Sequence, residues 1–258
     1  MSEFNYTPRQ LMAVVMARQI EDGDTVIVGT GIPLVSASLA KNSTAPNACL
    51  VFETAMIDGA PTETPTSVSD LRISFRASAL WPGFRYLGFQ AKTLQSGMKA
   101  NLGFLGGAQI DAYGNLNATS IGDYCKPNTR FSGSGGANGI ATCCNTIIMM
   151  KHQKRRFVDK VDYITSPGWI DGQGGRERVG LKGDRGPLTV VTEMGVMKFA
   201  DDTKRMYLAE YFPGYTPQQV QDNTGFVMDI SRAIETEPPS PEMIEILLTK
   251  IDPQRLMV

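Results

Sequence analysis

The sequence predicts a single α/β domain over residues 1–258, and three observations predict it. A short apolar run, Ala48-Cys49-Leu50-Val51-Phe52, ends directly in the carboxylate of Glu53, the pattern of a buried strand delivering a charge to its end. Upstream, Thr25-Val26-Ile27-Val28 is followed by a glycine loop and a helical pattern, the strand–loop–helix–strand order that joins parallel strands by a crossover. Helix-start chemistry recurs at Thr7, Thr216 and Ser240, and no stretch reads as a long linker.

Composition narrows the function classes. A chain of 258 residues buries a sizeable core, and 42% hydrophobic with 20% charged residues is ordinary for a soluble globular protein. A net charge of −1 gives no electrostatic preference for nucleic acid or a membrane surface. No apolar run approaches the length of a membrane span. The first residues are neither basic nor apolar, so no signal peptide is expected and the cytoplasm is the default. Four cysteines without C-x-x-C spacing and a single histidine make a metal site hard to assemble.

The elements follow in order. Thr7-Pro8-Arg9-Gln10 is a capping box with proline at the first helical position, and Leu11, Met12, Val15, Met16 and Ile20 form the apolar face behind it. Asp22-Gly23-Asp24 turns the chain into the first strand, and a second helix is expected from about Leu34 to Lys41. Asp58-Gly59-Ala60-Pro61 breaks the chain after the second strand. Residues 67–72 start a helix or a strand, and Trp81-Pro82 with residues 85–89 suggests a turn and a strand. Asp111 to Asn115 is a tight turn between apolar runs. Strands are expected at 147–150, 161–166, 188–192 and 195–199, with a polar glycine-rich loop at 172–178. Thr216-Pro217-Gln218-Gln219 and Ser240-Pro241 open the last helices, the second after the rigid connector of Pro238, Pro239 and Pro241.

Candidate chemistry concentrates at a few positions. Ligands of open α/β sheets bind at the carboxyl ends of strands, where Glu53 is expected, so it is a candidate nucleophile, base or ribose ligand; the plainer reading is a solvated strand-end residue. Gly29-Thr30-Gly31 lies before a helix, where backbone N–H groups can hold an anion or carbonyl oxygen. It also resembles a dinucleotide fingerprint, but the third glycine is Leu34. Gly135-Gly136-Ala137 lies in a cluster of four glycines, either an oxyanion hole or a flexible turn. Lys151 to Arg156 is the only basic run, either a solvated face or a phosphate contact. A histidine-based triad would have to use His152, which sits among cations with no acidic neighbour in sequence.

Four segments carry a resemblance: residues 28–34 (Val-Gly-Thr-Gly-Ile-Pro-Leu), 106–115 (Gly-Gly-Ala-Gln-Ile-Asp-Ala-Tyr-Gly-Asn), 131–139 (Phe-Ser-Gly-Ser-Gly-Gly-Ala-Asn-Gly) and 165–172 (Thr-Ser-Pro-Gly-Trp-Ile-Asp-Gly). With Glu53, they make the chain similar to β-type subunits of family I CoA-transferases, especially the glutaconate-using type. The resemblance implies an open, mostly parallel sheet with helices on both faces. It implies an α-type partner subunit in a hetero-oligomer, acyl-CoA and dicarboxylate substrates, and no cofactor besides coenzyme A as substrate. It implies that Glu53 is the catalytic glutamate, forming a covalent glutamyl-CoA thioester, with Gly29, Gly31, Gly135, Gly136 and Ala137 as oxyanion or CoA-binding residues. Relatives of this fold include acyl-CoA hydrolases, the alternative activity. The family glutamate is usually followed by Ser-Gly or Asn-Gly. Thr54-Ala55 stands here instead, which predicts a different turn or an altered site.

Overall fold

The computed structural model describes residues 5–54, 56–61, 64–67, 70–74, 76–80 and 100–258. The expected strand near 85–89 and the residue after Thr54 lie outside the described residues. Contacts divide the chain into two compact units, residues 1–104 with 237–258, and residues 105–236.

The first unit opens with α1 (Pro8–Ala17), where Thr7 and Gln10 form the expected reciprocal capping box. Every residue from Leu11 to Ala17 is buried, so α1 is an internal helix rather than one with a single apolar face. It packs on α2 (Ile32–Lys41). Strands β1 (Thr25–Val28) and β2 (Cys49–Phe52) pair in parallel with Thr25 opposite Cys49 and Val28 opposite Phe52. The crossover helix between them is α2. Beyond β2, the two-residue strands β3 (Met56–Ile57) and β4 (Ala79–Leu80) add antiparallel edges. On the other side of β1, the strand β5 (Ala100–Leu105) runs parallel to it. The ambiguous stretch near residue 70 resolves into a 3-10 turn, Leu71–Ser74, whose Asp70 carboxylate pairs with Arg72.

The C-terminal segment belongs to this unit. Arg18 donates to the carbonyls of Glu237 and Pro238, both at 2.8 Å, and fixes the start of the proline connector. The expected helix follows as α6 (Pro241–Ile246), capped by Ser240 and continued by a wider π turn over Leu247–Ile251. The buried Asp252 carboxylate then accepts the N–H groups of Leu256, Met257 and Val258.

The second unit contains the tight turn read from Asp111 to Asn115. It joins β6 (Gln109–Ile110) to β7 (Leu116–Asn117) as an antiparallel hairpin. The Asp111 carboxylate accepts from the N–H groups of Tyr113 and Asn115 and from the Asn115 amide, which closes the turn. A second hairpin pairs β8 (Ser120–Ile121) with β9 (Thr129–Arg130). The main strands are β10 (Asn145–Met149), β11 (Pro187–Val191), β12 (Gly195–Phe199), β13 (Met206–Tyr211) and β14 (Ile234–Glu235). Strands β10 and β11 are parallel, β11 to β13 form an antiparallel meander, and β14 returns parallel to β13. Helices α3 (Ala137–Cys143), α4 (Gly175–Arg178) and α5 (Pro217–Asp222) complete the α/β unit.

One expected strand does not form. Residues 161–166 alternate in polarity but make only a single bridge, Ser166 to Leu116. Their polar groups go elsewhere. The Thr165 hydroxyl accepts the Ala118 N–H, its carbonyl accepts the Asn138 amide, and Asp162 meets the Gln109 amide.

Candidate active site

Glu53 leaves β2 at its carboxyl end and is exposed, one residue beyond the Val28–Phe52 pair. Gly29 occupies the equivalent position after β1, so a glycine loop and a carboxylate share one edge of the parallel pair. The loop needs its glycine at Gly31, where φ is +84° and ψ is −152°, a region essentially closed to other residues. No side chain caps α2 here, Pro33 contributes no N–H, and the Leu34 and Val35 N–H groups both donate to the Gly31 carbonyl, which leaves the Ile32 N–H as the first-turn donor among the described residues. Leu34, at the third position of the dinucleotide fingerprint, is buried at 2% exposure. A leucine there prevents the close helix–strand approach that the third glycine permits, and the fingerprint is incomplete in space as in sequence. Thr54 follows Glu53 with its Oγ1 buried and without a hydrogen-bond partner among the described residues.

In the second unit, the glycine cluster forms the approach to α3. Gly133 and Gly135 have φ of +91° and +51°, and Gly136 is the N-cap. The Ala137 N–H already donates to the Ser134 carbonyl at 2.9 Å. Among the described residues, the N–H groups of Gly135 and Gly136 donate to no backbone carbonyl, which leaves them as the donors of this segment. Gly135 is exposed and Gly136 half-buried.

Three of the family-like segments are tied together here. Asn115 donates to the Ile170 carbonyl at 2.7 Å and accepts the Gly168 N–H at 2.9 Å. Asn138 donates to the Thr165 carbonyl at 2.9 Å, linking α3 to the same loop. Gly168 lies so close to the turn that a Cβ there would collide with the Tyr113 carbonyl oxygen and the Gly114 backbone.

Sequence reasoning missed Arg176. The segment 172–178, read as a polar loop, contains α4, and Arg176 is fully buried. Its guanidinium donates to five carbonyls: Lys182, Pro167, Gly168, Ala141 and Thr142. Ala141 and Thr142 belong to the last turn of α3, whose carbonyls lack intrahelical partners and favour a cation. Arg185 takes the next carbonyl, that of Cys143. Burial pushes the Arg176 pKa down, and the Glu177 and Asp184 carboxylates partly offset it. The only sequence signal was an arginine close to several glycines where an anchored loop was needed.

His152 is removed from any nucleophilic triad. It is buried at 4% exposure and stacks on Phe157 with ring centroids 4.3 Å apart. Nε2 lies 3.0 Å from Thr224 Oγ1, and Nδ1 lies 3.1 Å from Thr192 Oγ1. The Thr224 hydroxyl also donates to the Val220 carbonyl and the Thr192 hydroxyl to the Gly195 carbonyl, so each ring nitrogen meets a hydroxyl anchored to the backbone. Burial brings its pKa down to about 4, and the ring is neutral. The rest of the basic run is not one face. Lys151, Lys154 and Arg155 are exposed, while Arg156 is half-buried and donates to the Gly107 carbonyl.

Among the described residues no helix is long and apolar enough to cross a membrane. A family model described as coenzyme A transferase matches residues 9–223. The chain is 52% identical over 254 residues to one of the subunits of glutaconate CoA-transferase from Acidaminococcus fermentans, covering 98% of this chain and 96% of that one. It is 35% identical to one of the subunits of 3-oxoadipate CoA-transferase from Pseudomonas knackmussii, covering 94% and 92%. The crystal structure of glutaconate coenzyme A-transferase from Acidaminococcus fermentans matches with a TM-score of 0.93 at 52% identity, covering 98% of this chain and 97% of that one. A strand-end glutamate beside a glycine loop, an α/β fold and these full-length similarities lead to one conclusion: the chain belongs to the coenzyme A transferase family.

Proposed function

We propose that this chain is the β-type subunit of a heteromeric CoA-transferase. It moves CoA from an acyl-CoA such as acetyl-CoA to a dicarboxylate, glutaconate or 2-hydroxyglutarate, in the cytoplasm and together with an α-type subunit. Coenzyme A is a substrate, and no further cofactor takes part. The observation that carries the reading is the exposed Glu53 carboxylate at the end of β2, beside the Gly29–Gly31 loop.

The Glu53 carboxylate attacks the thioester carbonyl. Collapse of the tetrahedral intermediate expels CoA thiolate and leaves a mixed anhydride. The thiolate attacks the glutamyl carbonyl, releasing the first carboxylate and leaving a glutamyl-CoA thioester. The acceptor carboxylate reverses these steps, and Glu53 is regenerated. A carboxylate is the fitting nucleophile where one carboxylate replaces another, and the covalent route divides a difficult exchange into easier steps. Backbone N–H groups of Gly31, Gly135 and Gly136 are the proposed oxyanion or CoA contacts. Ala137 takes a lesser part because its N–H is engaged by Ser134.

The test is intact mass of the chain, co-purified with its partner, after brief exposure to acetyl-CoA without acceptor. An adduct mapped to Glu53 that disappears on adding glutaconate supports the cycle, and Glu53→Gln should abolish both adduct and transfer. Undiminished transfer by that variant would overturn the proposal. Thiol release without any acceptor would instead favour the acyl-CoA hydrolase alternative.

A further inference from the structure

In the first unit, a cavity of about 290 Å³ runs beside α2. Leu34, Ser38 and Lys41 line it from that helix, at the spacing of one helical face. Gly59 and Pro61 line it from the segment after β3, and Lys250 from the C-terminal π turn. The walls are fixed to each other. Thr64 Oγ1 donates to the Ile251 carbonyl at 2.7 Å, which ties the loop wall to the π turn. Gly59 lies so close to the Ile73 carbonyl oxygen that a Cβ there would collide with it.

The lining is cationic on one side and aliphatic on the other. Lys41, Arg76 and Lys250 contribute to it, and no carboxylate does among the described residues. Lys41 Nζ donates to Asp58 Oδ1 at 2.6 Å and to the Ala48 carbonyl at 2.7 Å, which balances Asp58 and leaves one ammonium N–H. Lys250 is exposed and makes no ion pair among the described residues. Leu34, Leu50 and Pro61 supply the aliphatic wall. The volume sits at the lower edge of the ~300–1,000 Å³ typical of small-ligand pockets, so the occupant is of metabolite size. An inorganic anion would leave the aliphatic wall unfilled. A neutral hydrocarbon would leave the Lys250 charge without a partner. A carboxylate on a short hydrocarbon chain answers both.

We propose that this cavity binds a small carboxylate with an aliphatic body, its charged end on Lys41 and Lys250 and its chain against Leu34 and Leu50. The site is distinct from Glu53. Lys41 holds the Ala48 carbonyl just before β2 begins, whereas Glu53 leaves the opposite end of that strand.

The test uses the heteromeric complex containing this chain, with radiolabelled hexanoate as the probe in equilibrium dialysis. Hexanoate should bind saturably at this site, and no saturable binding would overturn the proposal. Lys250→Gln should weaken binding roughly tenfold, as for loss of a charge-assisted contact, and leaves the fold intact because Lys250 is exposed. Ser38→Phe places a ring in the cavity and should abolish binding. Unchanged hexanoate affinity in both variants would overturn the proposal. Inorganic phosphate competing as well as hexanoate would overturn it in favour of a plain anion site, and hexanol competing as well would overturn it in favour of an apolar void. Glu53→Gln should bind hexanoate as the parent does. Loss of binding in that variant would place the carboxylate at the strand-end glutamate instead and overturn the proposal, whatever the outcome for transfer.

Discussion

Replacing Arg176 by methionine removes a guanidinium that donates to five backbone carbonyls. Three of its five bonds are 2.8 to 3.1 Å long, to Lys182, Gly168 and Ala141, and the other two, to Pro167 and Thr142, are 3.3 Å. Counting only the three shorter ones, and roughly 1 kcal/mol for each buried carbonyl left unsatisfied, the loss is ~3 kcal/mol. Methionine fills much of the volume, so this is a polar loss rather than a cavity. Lysine retains the charge but not the planar fork, and should recover about a third of it. Urea unfolding followed by tryptophan fluorescence measures the difference as a shift in midpoint at constant slope. A loss below ~1 kcal/mol for Arg176→Met would refute the reasoning, since the carbonyls would then have found water as a donor.

Two further outcomes are expected. His152 has a pKa of about 4 in the fold against about 6.5 unfolded, so its contribution is present above pH 6.5 and is lost as pH falls toward 4. Over that window ~3 kcal/mol of stability should disappear, and His152→Gln should flatten the slope of unfolding free energy between pH 6.5 and 5; an unchanged slope would contradict the assignment. Thr54 Oγ1 is buried without a partner among the described residues, so Thr54→Val should raise stability by roughly 1 kcal/mol, read as a higher unfolding midpoint, and a loss of that size would show an unrecognised bond.

Local rules explain what was legible. The Thr7 capping box, the turn at Asp22–Asp24 and the strand ending at Phe52 each follow from a few neighbouring residues, and each is found where expected. The parallel pairing of β1 with β2 followed from the helix between them, and it placed Glu53 at a strand end from the sequence alone. Residues 161–166 misled because alternation reports two faces, not a pairing partner, and their donors and acceptors go to Asn138, Ala118 and Gln109. Arg176 and His152 were opaque for one reason. Each is a polar residue in a polar stretch, and its burial depends on groups brought from distant sequence, Ala141 for one and Thr224 for the other. The departure at Thr54 was visible in sequence, but its unpartnered hydroxyl was not.

The contact between Gly168 and the turn at Tyr113–Gly114 has a dynamic consequence. With only a hydrogen at Gly168, the two backbones touch, and Trp169 N–H donates to the Tyr113 carbonyl across the contact at 2.8 Å. Neither loop can open without breaking the other's hydrogen bonds at Asn115. The two loops, more than fifty residues apart in sequence, therefore form one cooperative opening unit, and the amide hydrogens of Gly168, Trp169 and Asn115 should share one free energy of opening in hydrogen exchange.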